Sequence, residues 1–261
     1  FIVLTISSLY SSLMIHIYNT TSIDCSICSD CTPLSTEELS IYNICIYYKH
    51  TYWLIMIYAI GNTKGGVAKT TTAVHLAVMF ARSSPTLLID GDVQATATSW
   101  ANWRNESEKT PSPVTVQLNG KAIATEGRRL AENYVNTIID VGGRDSASLR
   151  SALLIADHLI VPVGASSFDA EALTDLLEIV DLAKDHNESL NVRILLTRLD
   201  PRTKETADMI SYLETQGLSV FKSQIYERVA YRRATSEGAT VAEYGKDQQA
   251  INEMNQFFNE I

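Results

Sequence analysis

The chain has 261 residues, 46% hydrophobic and 20% charged, which suits one ordinary globular domain able to bury a full core. A net charge of −9 and a pI near 5.0 exclude a basic nucleic-acid coat, so any contact with DNA has to come from a local patch.

Composition changes abruptly at residue 56. All 12 glycines lie from Gly61 onward, while the 4 cysteines (Cys25, Cys28, Cys31, Cys45) all precede it. Asp24, Asp30, Glu37, Glu38 and Lys49 give the first 55 residues −3 of the total charge. Residues 1–55 read as a leader, either translated upstream sequence or a disordered extension, with Met56 as the natural start of the domain at 56–261. Two sharper readings of the leader are weaker. Residues 1–18 are long enough to span a bilayer, but they are rich in Ser and Thr and lack a basic flank. Cys25, Cys28 and Cys31 have a spacing that iron–sulfur ligands can use, but no glycine-rich or compact scaffold surrounds them.

From Met56 on, short apolar runs at 56–60, 86–89, 137–139, 158–163 and 193–196 do not alternate with polar residues, so they predict strands buried on both faces of a parallel sheet. A helix is predicted at 169–184, with Leu173, Leu176, Leu177, Val180 and Ala183 on one face. A second is predicted at 203–216, with Met209, Ile210 and Leu213 inward and Gly217 as its stop. The alternation implies an α/β class: a doubly wound, mostly parallel sheet with helices on both faces, as in P-loop NTPases.

The strongest motif follows the first strand. Gly61-Asn62-Thr63-Lys64-Gly65-Gly66-Val67-Ala68-Lys69-Thr70-Thr71 leads into a helix beginning near Lys69. Glycines let such a loop wrap phosphates closely, so that backbone N–H groups and the helix N-terminus meet their charge. Ala68 stands where the general G-x4-G-K-[ST] pattern has its last glycine, and is tolerated if its φ is negative. The run resembles the deviant Walker A motif, KGGxxK[ST], of the ParA/MinD ATPase family, in which a second lysine opens the loop.

The resemblance implies that Lys64 reaches the phosphates of a partner subunit's nucleotide, that Lys69 binds the β and γ phosphates of its own ATP, that Thr70 coordinates Mg²⁺, and that Thr71 touches the α phosphate. Gly65, Gly66, Val67 and Ala68 form the remaining cradle. Asp90-Gly91-Asp92-Val93-Gln94 closes the second strand and resembles the family's D-x-D-P-Q switch, with Val93 in place of proline. The same resemblance puts Asp90 in the outer shell of Mg²⁺ and has Asp92 orient the attacking water. Asp140-Val141-Gly142-Gly143 resembles a Walker B acid followed by a second switch, with Asp140 holding a magnesium-bound water. Arg144 and Asp145 read as an exposed ion pair or a dimer contact. Thr197 and Arg198 match the strand end beside the adenine.

The span of 206 residues from Met56, without an N-terminal DNA-binding domain, is similar to the short plasmid partition ATPases of the ParF kind. That implies a cytoplasmic, nucleoid-associated protein using ATP and Mg²⁺. It dimerises on ATP, binds DNA without sequence preference and answers to a centromere-binding partition protein of the ParB or ParG kind. Arg228, Arg232 and Arg233, with Lys222 and Lys246 nearby, are the candidate DNA contacts. Arg228 and Arg232 are four apart and predicted to share a helical face, although a solvated face with Glu227 and Glu237 reads as well. A MinD-like membrane ATPase needs a basic amphipathic C-terminus, but residues 247–261 carry only Asp247, Glu253 and Glu260 as charges, so no membrane contact is expected. A metabolic ATP-dependent ligase of the same superfamily would need a substrate pocket that no residue cluster demands.

Overall fold

A computed structural model of the chain describes residues 55–143 and 146–261, with the side chain of Ser146 also outside the described set. The leader readings and those for Arg144 and Asp145 lie outside the described residues.

Seven strands form one parallel sheet: β1 (Met56–Ile60), β2 (Thr86–Asp90), β3 (Val114–Gln117), β4 (Asn136–Asp140), β5 (His158–Val163), β6 (Asn191–Leu199) and β7 (Val220–Tyr226). Their order is β3-β2-β4-β1-β5-β6-β7. The helices between them are α1 (Lys69–Ala81), α2 (Thr96–Glu106), a π-helical turn (Ile123–Gly127) running into α3 (Arg128–Ala131), α4 (Ser146–Leu153), α5 (Ser167–Lys184) and α6 (Glu205–Thr215). After β7 come α7 (Val229–Ser236), α8 (Val241–Tyr244) and α9 (Gln248–Phe258).

Alternation along each strand divides the core between two faces. Ile57, Ala59, Leu87, Ile89, Ile139, Leu159 and Leu196 pack under α4, α5 and α6. Tyr58, Ile60, Leu88, Ile138, Ile160 and Leu195 pack under α1, α2 and the C-terminal helices. Both faces are covered, so interior strands read as unbroken apolar runs. The five runs seen in the sequence are the five interior strands. The two not anticipated, β3 and β7, are the sheet's edges. β7 alternates, with Phe221, Ser223 and Ile225 inward, and β3 is four half-exposed residues, so neither shows the doubly buried pattern.

α5 begins two residues earlier than predicted because Ser166 and Asp169 form a capping box. Gly217 follows α6 with φ +67°, a conformation glycine adopts without cost. The C-terminal ends of β1, β2, β4 and β5 bring Asn62, Asp90, Asp140 and Gly164 to one rim of the sheet, where open α/β sheets bind ligands.

Candidate nucleotide-binding site

The loop between β1 and α1 rims a cavity of about 390 Å³ lined by Gly65, Gly66, Lys69, Thr70, Asp92 and Gly143 among others. α1 opens without a side-chain cap or an acidic residue in its first turn, so its orphan N–H groups and positive dipole end remain for an anion. Ala68 is the N-cap of α1 at φ +66°, not the negative φ that the sequence reading required. The loop therefore needs a left-handed residue here, which is why the general motif has glycine, and alanine holds it at a cost of about 1–2 kcal/mol.

The loop is moored from behind. Asn62, fully buried, donates to the Pro162 carbonyl at 2.8 Å and accepts from Lys64 N–H at 2.9 Å. Thr63 donates to the Ala172 carbonyl in α5. Thr197, expected beside the base, is completely buried, and its hydroxyl donates to the Val67 carbonyl at 3.0 Å. It is a strut for the loop, and the base-contact reading is corrected accordingly. Arg198 does stand at the rim, donating to the Gly66 carbonyl and pairing with Glu227 at 2.7 Å. Beside it an adjoining cleft of about 290 Å³ is lined by Arg198, Tyr226, Glu227, Arg228, Tyr231 and Met254, and shares Gly66, Ala68 and Thr71 with the loop.

The two lysines are held differently. Lys69 is buried and donates to the Lys64 carbonyl at 2.7 Å. Burial pushes its ammonium below the usual lysine range, against the opposing pull of Asp140 and Asp92. Lys64 does not line the cavity of its own loop; its ammonium sits 2.7 Å from Asp169 in the first turn of α5. Burial alone would raise the Asp169 carboxyl, but hydrogen bonds from Lys64 and Ser166 outweigh it and hold the group below its ordinary value.

Three acids lie close together beside the cavity, of which Asp92 lines it while Asp90 and Asp140 are buried behind it. Asp140 is fully buried beside Thr70, and its carboxyl is pushed up to about 7, first by burial and further by Asp90 and Asp92. Its Oδ2 is a buried acceptor with no hydrogen-bond partner, a costly state that a cation or its water would relieve. Asp90 is already occupied, accepting from Thr98 N–H at 2.7 Å and Thr98 Oγ1 at 2.8 Å, and from Asp92 N–H at 3.2 Å. Among the described residues no three His, Cys or acidic side chains enclose an ion by themselves. All-oxygen donors that leave room for water and phosphate suit Mg²⁺, which is reluctant to shed its waters.

The paired glycines after β4 are there for close approach. A Cβ on Gly142 would lie 2.7 Å from the Asp92 carboxyl carbon, and one on Gly143 would lie 2.9 Å from the Thr63 carbonyl oxygen and 3.0 Å from Lys69 Nζ. Gly142 and Gly143 thus sit directly against Asp92 and the phosphate loop.

The basic cluster separates into three roles. Arg228 is not helical: it is the N-cap of α7 with φ −130°, so it does not share a helical face with Arg232. Its guanidinium pairs with Glu253 at 2.7 Å and Gln249 at 2.8 Å, which removes it from the candidate DNA contacts. Arg232 is exposed at the rim of the adjoining cleft. Arg233 is exposed beside Tyr244, over whose ring Lys246 lies at 4.9 Å.

Asn62, Thr98 and Asp169 were not singled out in the sequence. The S-x-x-D step at Ser166–Asp169 before an apolar helix was a visible capping signal, whereas nothing local marks Thr98 as the partner of Asp90.

Known proteins share this arrangement. Residues 58–241 match the CobQ/CobB/MinD/ParA nucleotide binding domain. The maintenance of carboxysome distribution protein A of Halothiobacillus neapolitanus is 27% identical over 206 residues, covering 78% of this chain and 94% of the relative. The chromosome-partitioning ATPase Soj of Thermus thermophilus is 31% identical, covering 71% and 87%. Among solved structures, a plasmid partition protein of Borrelia burgdorferi bound to AMPPNP superposes with a TM-score of 0.58 at 20% identity, covering 79% of this chain and 99% of the other. With its uncapped phosphate-loop helix, its two loop lysines and its three rim acids, the chain belongs to the CobQ/CobB/MinD/ParA nucleotide-binding family, as a ParA/MinD-type ATPase with the deviant Walker A loop.

Proposed function

We propose that residues 56–261 form an Mg²⁺-dependent ATPase that dimerises on ATP, binds DNA without sequence preference while dimeric, and so positions or partitions DNA. The observation that carries this reading is Lys64. It belongs to the phosphate loop, yet it is absent from the wall of its own cavity and is held by Asp169. A lysine so placed is poised to leave that carboxylate for the nucleotide of a second subunit.

In its own site, Lys69 and the α1 N-terminus hold the β and γ phosphates, and the adjoining cleft at Arg198 and Tyr226 takes the base. Thr70 and the orphaned Oδ2 of Asp140 are the groups that would hold Mg²⁺ or its water, and the ion would supply positive charge to offset that developing on the phosphates. Asp92, kept in place by the space that Gly142 leaves, orients the attacking water. Arg232 and Arg233 meet DNA phosphates, and dimerisation duplicates them. A centromere-binding partner stimulates turnover. Relatives bear the names of chromosome partition and of carboxysome distribution, so the ATP switch is the shared part and the partner selects the cargo.

Ala250, Met254 and Phe257 of α9 are buried in the core, and no helix among the described residues is long and apolar enough to cross a membrane.

Sedimentation with Mg-ATP tests the reading. Asp92→Ala is expected to form a dimer that does not turn ATP over, whereas Lys69→Ala stays single. An Asp92→Ala protein that remains monomeric, or a Lys64→Ala protein that dimerises and hydrolyses normally, overturns it.

A further inference from the structure

A chain of contacts leaves the metal-side acids and ends at two exposed cations, Arg233 of α7 and Lys246 just after α8. It begins at Asp90. α2 has Ala95 as its N-cap, with φ +51° and no side-chain cap, and Asp90 takes over the task by accepting from both the backbone N–H and the hydroxyl of Thr98 in the first turn. The carboxylate that faces the cation site is therefore also the cap of α2.

Farther along, α2 grips the segment that follows α7. Trp100 Nε1 donates to the Ala239 carbonyl at 3.3 Å. Arg104, with no exposed surface, donates through its guanidinium to the carbonyls of Gly238 and Pro111 and forms a two-pronged pair with Glu243 at 2.7 and 2.9 Å. Gly238 lies so close that a Cβ there would run into the backbone of Trp103 and Arg104. The residue after Glu243 is Tyr244, whose ring has Lys246 Nζ at 4.9 Å and which stands beside Arg233. Little between these groups can adjust on its own, so a shift of α2 has to be passed on to α8.

We propose that α2 is the coupling element between the nucleotide site and a cationic patch made by Arg233, Tyr244 and Lys246, setting how that patch meets the phosphates of DNA. Movement at Asp90 when nucleotide and cation bind re-caps α2; Trp100 and Arg104 carry the shift to Gly238–Glu243, and Tyr244 re-aims the two cations. Trp100 and Arg104 are positioning residues in this scheme and touch neither nucleotide nor DNA. The inference rests on the DNA-binding reading above.

The test compares the affinity for a random-sequence duplex with Mg-ADP and with an Mg-bound, non-hydrolysable ATP analogue. The unaltered protein is expected to bind more tightly in the ATP state by roughly 5–150-fold, the usual size of such couplings. Arg104→Lys keeps the charge but loses the forked bonds, and is expected to bring the ratio close to one while sedimentation still shows an ATP-state dimer. Trp100→Phe removes one hydrogen bond and little packing, and serves if Arg104→Lys fails to fold; it is expected to lower the ratio by about fivefold. A purely structural role would weaken both states alike and leave the ratio unchanged. Folded, dimeric variants with the unaltered ratio overturn the coupling alone. An unaltered protein that ignores the duplex in both states overturns the DNA reading and this inference with it.

Discussion

The phosphate loop at 61–68 and the C-terminal segment at 227–247 both lie beside the nucleotide cavity, but they are held by opposite means. The loop is made of backbone: glycines, one left-handed alanine and an open helix end. The segment is held by side chains from far along the chain, with Arg104 gripping Gly238 and Glu243, Glu253 accepting from Arg228 and Tyr231, and His75 reaching Val241. A site built from backbone leaves a dense local signature, whereas a support built from distant side chains leaves almost none. The loop could be read from a dozen residues, but the arginines at 228–233 could not be assigned from spacing alone.

A series of substitutions would break or sharpen this contrast. The largest effect is expected at Gly238, where φ is +62° and there is no room for a methyl group. Gly238→Ala should cost about 2–5 kcal/mol in urea unfolding, combining left-handed strain with overpacking. Gly65, with open space around its missing Cβ, should accept alanine with little loss of stability. Next comes Arg228→Ala, which leaves the nearly buried Glu253 short of its cation; a loss of about 1.5–3 kcal/mol is expected, with the salt dependence of DNA binding unchanged. Arg232→Ala with Arg233→Ala should do the reverse, sparing stability and flattening the salt dependence by about 0.9 log unit for each DNA phosphate that is no longer neutralised. An Arg228 variant that binds DNA more weakly at full stability would return that residue to the DNA surface.

A pH-dependent effect is expected at the join between the two regions. His75 Nε2 accepts from Val241 N–H at 3.0 Å, so its Nδ1 carries the proton and donates to the Thr71 carbonyl at 2.7 Å. Burial pushes this imidazole down to about 4, so it stays neutral in the folded state while the unfolded chain takes up a proton from about pH 6.5 downward. The unfolded state then binds more protons between those values, and stability should fall as pH drops from about 6.5 to about 4, by at most about 1.4 kcal/mol per unit. His75→Gln should flatten that part of the stability–pH curve. An unchanged slope would mean that the imidazole is not the group responsible.

How much of the fold was legible followed from burial. The five interior strands lie between two helical layers and announce themselves as apolar runs, and α5 and α6 show their inward stripes. The edges β3 and β7 and the helix α2 did not, because α2 is held by capping from Asp90 and by Trp100 and Arg104 rather than by a wide apolar face. In the site, the lysines, Thr70 and the three acids were legible because their chemistry fixes their spacing. Ala68 took the opposite sign of φ, Thr197 turned inward to the loop, and Asp169 became visible as the holder of Lys64 only when α5 was seen beside the loop.

At the outer border of the sheet, Glu260 accepts from the backbone N–H groups of both Lys222 and Ser223 in β7, at 2.8 and 2.6 Å, and its own carbonyl accepts from Arg193 in β6. The residues after α9 are thus a clasp on the outer strand, not a loose tail. Replacing Glu260 would uncover two donors on a sheet border and invite strand-to-strand association between molecules.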